Sequence, residues 1–440
     1  MRETIGFISL GCAKNQVDCE QMMFLLQQAG YQISAGIEDT DLVIVNTCGF
    51  IDSAKSEAID HILTVGALKA EGRVGKLLVT GCLAQRYQEE ILKELPEVDG
   101  ILGTGSYYDV VSAVKELLSG EGVSQYGDIN APTRECGRIL TTPAHFAYLK
   151  IAEGCDNRCA YCVIPSLRGR YRSRKLEDCV AEAKLLAENG VRELIVVAQD
   201  TSRYGIDNYK RRMLPTLLRE LARIPELHWI RVHYCYPDEI TLELIDVFAA
   251  EEKIVKYLDI PIQHVNDAIL RSMNRRGNKA YLEELFPRLR QQIPGLILRT
   301  SIITGLPGEG EAEFEELCDF LRRHKLERVG AFAFSPEEGT PAAQMDYPDT
   351  EVAVHRAQLV AELQSRIIDE YNERCMGKQL EVLCEGEDAQ GYYGRTYADS
   401  PDIDGILHFT SLRSVPVGSF VTVTVTGVQD GDLLGEETIQ

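Results

Sequence analysis

Residues 147–162 read AYLKIAEGCDNRCAYC, and this stretch decides the fold. Its first half, Ala147–Ala152, is an apolar run of strand length closed by Glu153 and Gly154. Its second half sets Cys155, Cys159 and Cys162 in a C-x3-C-x2-C run directly after that strand. Three thiolates this close in sequence suit three irons of a cubane [4Fe–4S] cluster and leave the fourth iron without a protein ligand. A zinc site needs a fourth Cys or His, and none stands at zinc-ribbon spacing nearby. Tyr161, inside the run, is expected either to shield the cluster as a stacking face or simply to pack beside it.

Downstream, strand and helix signals alternate through residue 372. Candidate strands are Glu193–Ala198, Trp229–Tyr234, Lys256–Ile260, Leu296–Ile303 and Arg328–Phe334, with helices at Leu176–Asn189, Leu214–Ile224, Thr241–Ala250 and Glu311–His324. With Ala147–Ala152 they make six β/α units over residues 141–372, which predicts an incomplete parallel barrel with its site at the carboxyl ends of the strands. Polar groups stand at those ends: Gln199 and Asp200, His233 and Tyr236, Gln263 and His264, then Thr304 and Gly305. Val352–Arg374 reads as one long amphipathic helix leading out. In residues 373–440 the short alternating runs Gln379–Cys384, Gly405–Phe409 and Ser419–Val425 predict a small all-β barrel.

Upstream, residues 1–118 predict an open parallel α/β sheet. Apolar runs Ile5–Leu10, Leu42–Val45 and Leu77–Val79 alternate with helical patterns Asn15–Ala29, Asp52–Ala70 and Leu83–Leu95, followed by Ile101–Leu102 and Tyr108–Leu118. Cys12, Cys48 and Cys82 each follow a strand and precede a helix. Equivalent turns bring their thiolates to one sheet edge, where ligands bind in such sheets and helix amino termini favour thiolate. Again three ligands are evident, which leaves one iron free. Residues 119–140 break the periodicity with Gly, Pro and charge and read as a linker.

A chain of 440 residues is too long for one typical domain, in keeping with this division. Thirteen cysteines, an odd number, in a sequence without a secretory amino-terminal pattern argue against a disulfide scaffold and for metal or redox chemistry in a reducing, cytoplasmic setting. No apolar run reaches the roughly 18 residues of a membrane helix. Cysteines 136, 179, 235, 318, 375 and 384 have no ligand spacing and read as small hydrophobes, Cys136 as a loop residue. The formal net charge is −22, and residues 373–440 carry twelve Asp or Glu against four Lys or Arg. That excess aids solubility, favours a basic partner and makes direct nucleic-acid binding a poor expectation. Arg168-Gly-Arg170-Tyr-Arg172-Ser-Arg174 is a basic run in an acidic chain, readable as a phosphate contact, a carboxylate clamp or a solvated loop.

A C-x3-C-x2-C run at the end of the first barrel strand resembles the signature of radical S-adenosylmethionine (SAM) enzymes. The resemblance implies that the open iron chelates the amino and carboxylate groups of SAM and that reduction cleaves it to a 5′-deoxyadenosyl radical. It also implies that Tyr161 and the strand-end residues Gln199, Asp200, His233, Gln263, Thr304 and Gly305 bind SAM, with Gly305 admitting the ligand close to the backbone.

Two three-cysteine sets, in the order α/β domain, radical SAM barrel and terminal barrel, are similar to the methylthiotransferase family over nearly the whole chain. Gly11-Cys-Ala-Lys-Asn-Gln-Val-Asp18, Ala198-Gln-Asp-Thr-Ser-Arg-Tyr-Gly205 and Arg395-Thr-Tyr-Ala-Asp-Ser-Pro-Asp-Ile-Asp-Gly405 resemble its RimO-type branch, which methylthiolates an aspartate of the twelfth small-subunit ribosomal protein. The resemblance implies a TRAM-like terminal barrel that docks a basic ribosomal protein. It implies two [4Fe–4S] clusters, on Cys12, Cys48 and Cys82 and on Cys155, Cys159 and Cys162, with SAM, a low-potential electron donor and a possible sulfur donor. Cys19, where this branch has Ser, is a departure and reads as a bystander. The rival readings are the sister branch, which modifies an adenosine of transfer RNA, and a non-catalytic ribosome-assembly protein.

Overall fold

The computed structural model describes residues 3–438. Its first sheet is built from β1 (Thr4–Ser9), β2 (Gln32–Ile33), β3 (Thr40–Thr47), β4 (Val74–Gly81), β5 (Gly100–Gly105) and β6 (Val123–Gly127), parallel throughout in the order β2-β1-β3-β4-β5-β6. β3 and β4 are apolar on both faces because helices cover both: α1 (Ala13–Gln28) and α5 (Val110–Leu118) on one, α2 (Asp52–Ala70), α3 (Cys82–Tyr87) and α4 (Glu89–Glu94) on the other. Two expectations are corrected. Leu83–Leu95 is not one helix: Gln88, at φ 47°, separates α3 from α4, so α3 keeps Cys82 at the sheet edge while α4 turns Ile91 into the core. The expected linker also holds β6, whose Val123 joins the core below β5, so the first unit runs to residue 127.

The second sheet contains β7 (Phe146–Lys150), β10 (Glu193–Val197), β11 (Trp229–Val232), β12 (Ile254–Asp259), β13 (Ile297–Thr304) and β14 (Arg328–Ala333), parallel in the order β14-β13-β12-β11-β10-β7. The short strands β8 (Ala152–Glu153) and β9 (Arg172–Ser173) pair beside it around α6 (Ile164–Arg168). Helices α7 (Leu176–Glu188), α8 (Ile206–Tyr209), α9 (Leu214–Ala222), α10 (Leu242–Ala250), α11 (Asp267–Ser272), α12 (Lys279–Gln292) and α13 (Glu311–His324) connect the strands. Alternation divides the strands: Ala147, Leu149, Leu194 and Val196 pack under the helices, while Phe146, Tyr148, Ile195 and Val197 face inward. Val17 of α1 packs on that inward face, so the first domain covers part of the open barrel.

The long helix α14 (Thr350–Cys375) leads to a closed barrel of β15 (Gln379–Asp388), β16 (Gly391–Arg395), β17 (Leu407–Thr410), β18 (Phe420–Gln429) and β19 (Asp432–Glu437). The loop after β16 plugs the amino end of the β/α barrel. Arg395 and Arg231 both bind the buried carboxylate of Glu193, at 2.6 and 2.7 Å, while Asp399 takes Arg328 at 2.6 Å and Tyr257 donates to Asp404 at 2.6 Å. Only the carboxyl end of the β/α barrel is left facing the first domain. No helix of the described residues is long and apolar enough to cross a membrane.

Candidate functional site

β1, β3 and β4 end side by side, and their turns carry Cys12, Cys48 and Cys82. Glycine makes the crowding possible: a Cβ on Gly11 would lie 2.8 Å from Cys48 Cβ, and one on Gly81 2.4 Å from the Thr47 carbonyl. Asn15 and Asn46 stitch the turns, donating to the carbonyls of Leu10 (2.7 Å) and Asn15 (2.8 Å). The thiols stand within electrostatic range of one another, and burial pushes Cys48 up to about 11. Cys12 differs. Burial would raise it too, but Lys14 and Arg168 more than reverse this and hold it below the ordinary thiol value.

The second triad lies in the loop between β8 and α6. Gly154, at φ 78°, comes so close to the Arg170 carbonyl that a Cβ would sit 2.1 Å from it. Backbone bonds from Cys155 to Gly169 and from Ala160 to Met273 pin the loop. Cys159 Sγ lies 2.9 Å from the Tyr236 hydroxyl, to which Arg275 donates at 2.6 Å, and Arg275 also reaches Tyr161 at 3.3 Å. Burial pushes Cys155 up to about 11 and Cys162 further. Among the described residues no three His, Cys, Asp or Glu converge as ligands of one metal ion must. Three cysteines at each site match in number the ligands of a cubane that keeps one iron open.

Arg168, the last residue of α6, crosses from the second triad to the first. Its Nε and Nη2 each lie 3.4 Å from Cys82 Sγ, and Nη2 donates to Asn15 Oδ1 at 2.9 Å. Nη1 pairs with Asp18 of α1 and with Glu153, and Lys150 pairs with the same two carboxylates. Burial opposes the charge of Glu153, but Lys150 and Arg168 outweigh it and hold this carboxyl well below the usual range. Val163, next to Cys162, packs with Leu167 against Cys82. One dry ionic cluster thus joins the two triads.

The basic run is corrected as a ligand clamp at two of its positions: Arg168 is consumed by Asp18 and Glu153, and Arg174 by Glu135 and Glu182. The strand-end residues divide. Gln199 donates to Glu153 at 3.0 Å and leaves its own carbonyl oxygen without a partner, and Gln263, at φ 69°, is half-buried at the mouth. The others are tied inward. Asp200 accepts from Asn157 (2.8 Å) and Ser202, His233 meets Ser400 of the plug at 2.9 Å, and Thr304 donates to the Ala353 carbonyl at 2.8 Å. Gly305 is required by α14: a Cβ there would lie 2.3 Å from Ala353 Cβ, so the close approach expected for a ligand is made by a helix. Tyr161 is buried with Cys159, Tyr236 and Met273 and packs as much as it shields. Cys19 points into the core of the first domain, as a bystander should.

Three family models match in order: uncharacterized protein family UPF0004 over residues 4–103, the radical SAM superfamily over 149–321 and the TRAM domain over 376–437. The ribosomal protein uS12 methylthiotransferase RimO of Thermoanaerobacter sp. (strain X514) is 47% identical over 437 residues, covering 99% of this chain and 100% of that protein. The protein of the same name from Clostridioides difficile (strain 630) is 47% identical over 435 residues, 98% of each. The chain belongs to the RimO family of methylthiotransferases. It is therefore an enzyme that transfers a sulfur-containing group, and the non-catalytic reading falls away. Radical SAM membership implies a [4Fe–4S] cluster and SAM in this RimO-family chain. Its fold is shared with the radical SAM methyltransferase TsrM of Kitasatospora setae (TM-score 0.58, 14% identity, 86% of this chain and 79% of that one). It is shared also with the cobalamin-dependent SAM radical enzyme OxsB (0.52, 13%, 83% and 56%).

Sequence reasoning passed over Glu153 and Arg275 as site residues, and Lys14 within its motif. Tyr236 was visible at a strand end. Glu153 and Arg275 gave no signal, because their roles come from contacts with distant segments.

Proposed function

We propose that this protein methylthiolates the β-carbon of an aspartate in ribosomal protein uS12, in the cytoplasm, using a cluster at each triad. The observation that carries this reading is the packing of Cys82 against the segment that follows Cys162, with Arg168 between the triads. Sulfur transfer to an unactivated carbon needs a sulfur carrier and a radical source at one substrate atom, and two facing triads can supply both. When bound, a cluster on Cys12, Cys48 and Cys82 carries the sulfur and one on Cys155, Cys159 and Cys162 cleaves SAM.

The chain's own residues prepare that space. The plug after β16 closes the amino end of the barrel and α1 covers part of its open side, so water is excluded from two directions. Lys150, Arg168, Asp18 and Glu153 fix the distance between the triads. Gln199 and Gln263 face the mouth, where SAM would lie. The acidic terminal barrel suits a basic ribosomal protein. An electron donor of low potential and a sulfur donor complete the partners.

The test is mass spectrometry after anaerobic reaction of the reconstituted enzyme with SAM and dithionite, on uS12 and on unmodified transfer RNA in parallel. A methylthio increment on an aspartate of uS12 is expected. The increment on an adenosine alone would overturn the substrate while keeping the two-triad chemistry.

A further inference from the structure

We propose that Lys14 receives the carboxylate of the aspartate being modified, and so selects an acid over an amide. The inference rests on the substrate reading above.

Lys14 is 8% exposed, and its ammonium lies 3.7 Å above the ring of Tyr234. Among the described residues no carboxylate pairs with it; its neighbours are the Tyr234 side chain and the thiol of Cys12. The other buried basic side chains are satisfied: Lys150, Arg168, Arg231 and Arg395 by carboxylates, and Arg275 by Tyr236 and the Pro261 carbonyl. An ammonium carries three donors, and a phenol and a thiol beside it leave room for a carboxylate. The site is built for an anion that arrives with the reaction.

Position says which anion. Lys14 stands in the first turn of α1, two residues past Cys12, and Tyr234 stands just beyond the carboxyl end of β11. The ammonium therefore lies between the first triad and the barrel mouth. Tyr234 is held at φ 61°, rare for an aromatic residue, by bonds from its amide to Asp259 (3.1 Å) and from the Thr201 amide to its carbonyl (3.0 Å). That backbone fixes the ring under the ammonium. The carboxylate of SAM is expected at the other triad, on the open iron. The β-carbon of an aspartate is one bond from its carboxylate, so a cation beside the sulfur-bearing triad places the carbon where sulfur must reach it.

The test pairs enzyme and substrate variants: wild type, Lys14→Met, Lys14→Gln and Lys14→Arg against uS12 peptides with Asp or Asn at the modified position. Binding to the reconstituted enzyme is followed by fluorescence anisotropy and modification by mass spectrometry, with iron content confirming that each variant is loaded. Wild type should bind the Asp peptide roughly 30-fold more tightly than the Asn peptide, as expected for a desolvated charge pair. Lys14→Met and Lys14→Gln should erase that preference, and Lys14→Arg should keep part of it. A loss falling equally on both peptides, or a preference unchanged in the neutral variants, would overturn this inference alone. A wild type that modifies transfer RNA and no ribosomal protein would overturn the functional reading and this inference with it.

Discussion

Cys155, Cys159 and Cys162 lie within eight residues of sequence, whereas Cys12, Cys48 and Cys82 come from turns 36 and 34 residues apart. The second triad is a loop pinned by its own domain, and the cation beside it, Arg275, belongs to that domain too. The first triad exists only when three parallel strands are in register, and one of its two cations, Arg168, is lent by the neighbouring domain. The local triad is thus self-sufficient, while the dispersed one is completed by the interface. This asymmetry suits the proposed two-part reaction, with an autonomous radical source and a sulfur carrier assembled only when the domains are docked.

The largest effects should come from the triads themselves. Cys155→Ala should abolish both SAM cleavage and methylthiolation, whereas Cys12→Ala should abolish methylthiolation alone, each by roughly a thousand-fold or more, the scale of an essential group. Parallel assays of 5′-deoxyadenosine and methylthio product check this. Methylthiolation retained by Cys12→Ala would break the comparison, since the dispersed triad would then carry no sulfur.

The dependence on the interface is tested by Arg168→Met, which strands the carboxylates of Asp18 and Glu153 in a dry setting. Breaking a buried ion cluster costs about 3–5 kcal/mol, measurable by urea denaturation. About half the iron should be lost, with the second triad keeping its cluster. Arg168→Lys should not rescue it, because a lysine cannot reach Asp18, Asn15 and Cys82 with one planar group. Equal iron loss from both triads would show that the second is not autonomous.

What was legible in the sequence follows the same division. Both cysteine sets could be read, because each obeys a local rule: a short spacing in one case, a strand followed by a helix in the other. The six barrel strands could be read from their apolar runs. The partners of Arg168 could not, since Asp18 lies 150 residues away and no periodicity connects them. Gly305 was legible as a special position but not for its cause, which is the passage of α14 against it. β16 and β19 were missed because Gly391-Tyr-Tyr-Gly-Arg395 and Asp432-Leu-Leu-Gly-Glu-Glu437 are broken by glycine and charge, and only barrel closure makes strands of them.

Acid should weaken the two domain interfaces together. Glu153 at one and Glu193 at the other are held below the ordinary glutamate value of 4.5: Lys150 with Arg168 outweighs burial at the first, and Arg395 with Arg231 at the second. For such groups the stabilisation is complete above the unfolded value and is lost as pH falls through and below it. Urea midpoints should therefore be level from pH 7 to about 5.5 and fall steeply below about 4.5, at up to about 1.4 kcal/mol per pH unit for each group. Glu153→Gln, though less stable throughout, should show a shallower fall. An unchanged slope in that variant would mean that the ionic cluster between the triads does not respond to acid.

The smallest effect should come from Cys19, and it tests whether the dispersed set is a triad at all. Cys19 follows Cys12 by seven residues on α1, yet its side chain is fully buried among Met22, Ile5 and Leu42, on the face of the helix away from the barrel. Burial pushes its thiol up to about 12, and it packs in the apolar core of the first domain rather than beside Cys12, Cys48 and Cys82. Cys19→Ser should therefore leave iron content and methylthiolation unchanged and alter stability by only about 1 kcal/mol, the cost of a hydroxyl that can still find a partner such as Ser9. Loss of iron from this variant would add a fourth ligand to the first cluster and remove the open iron on which a sulfur must sit.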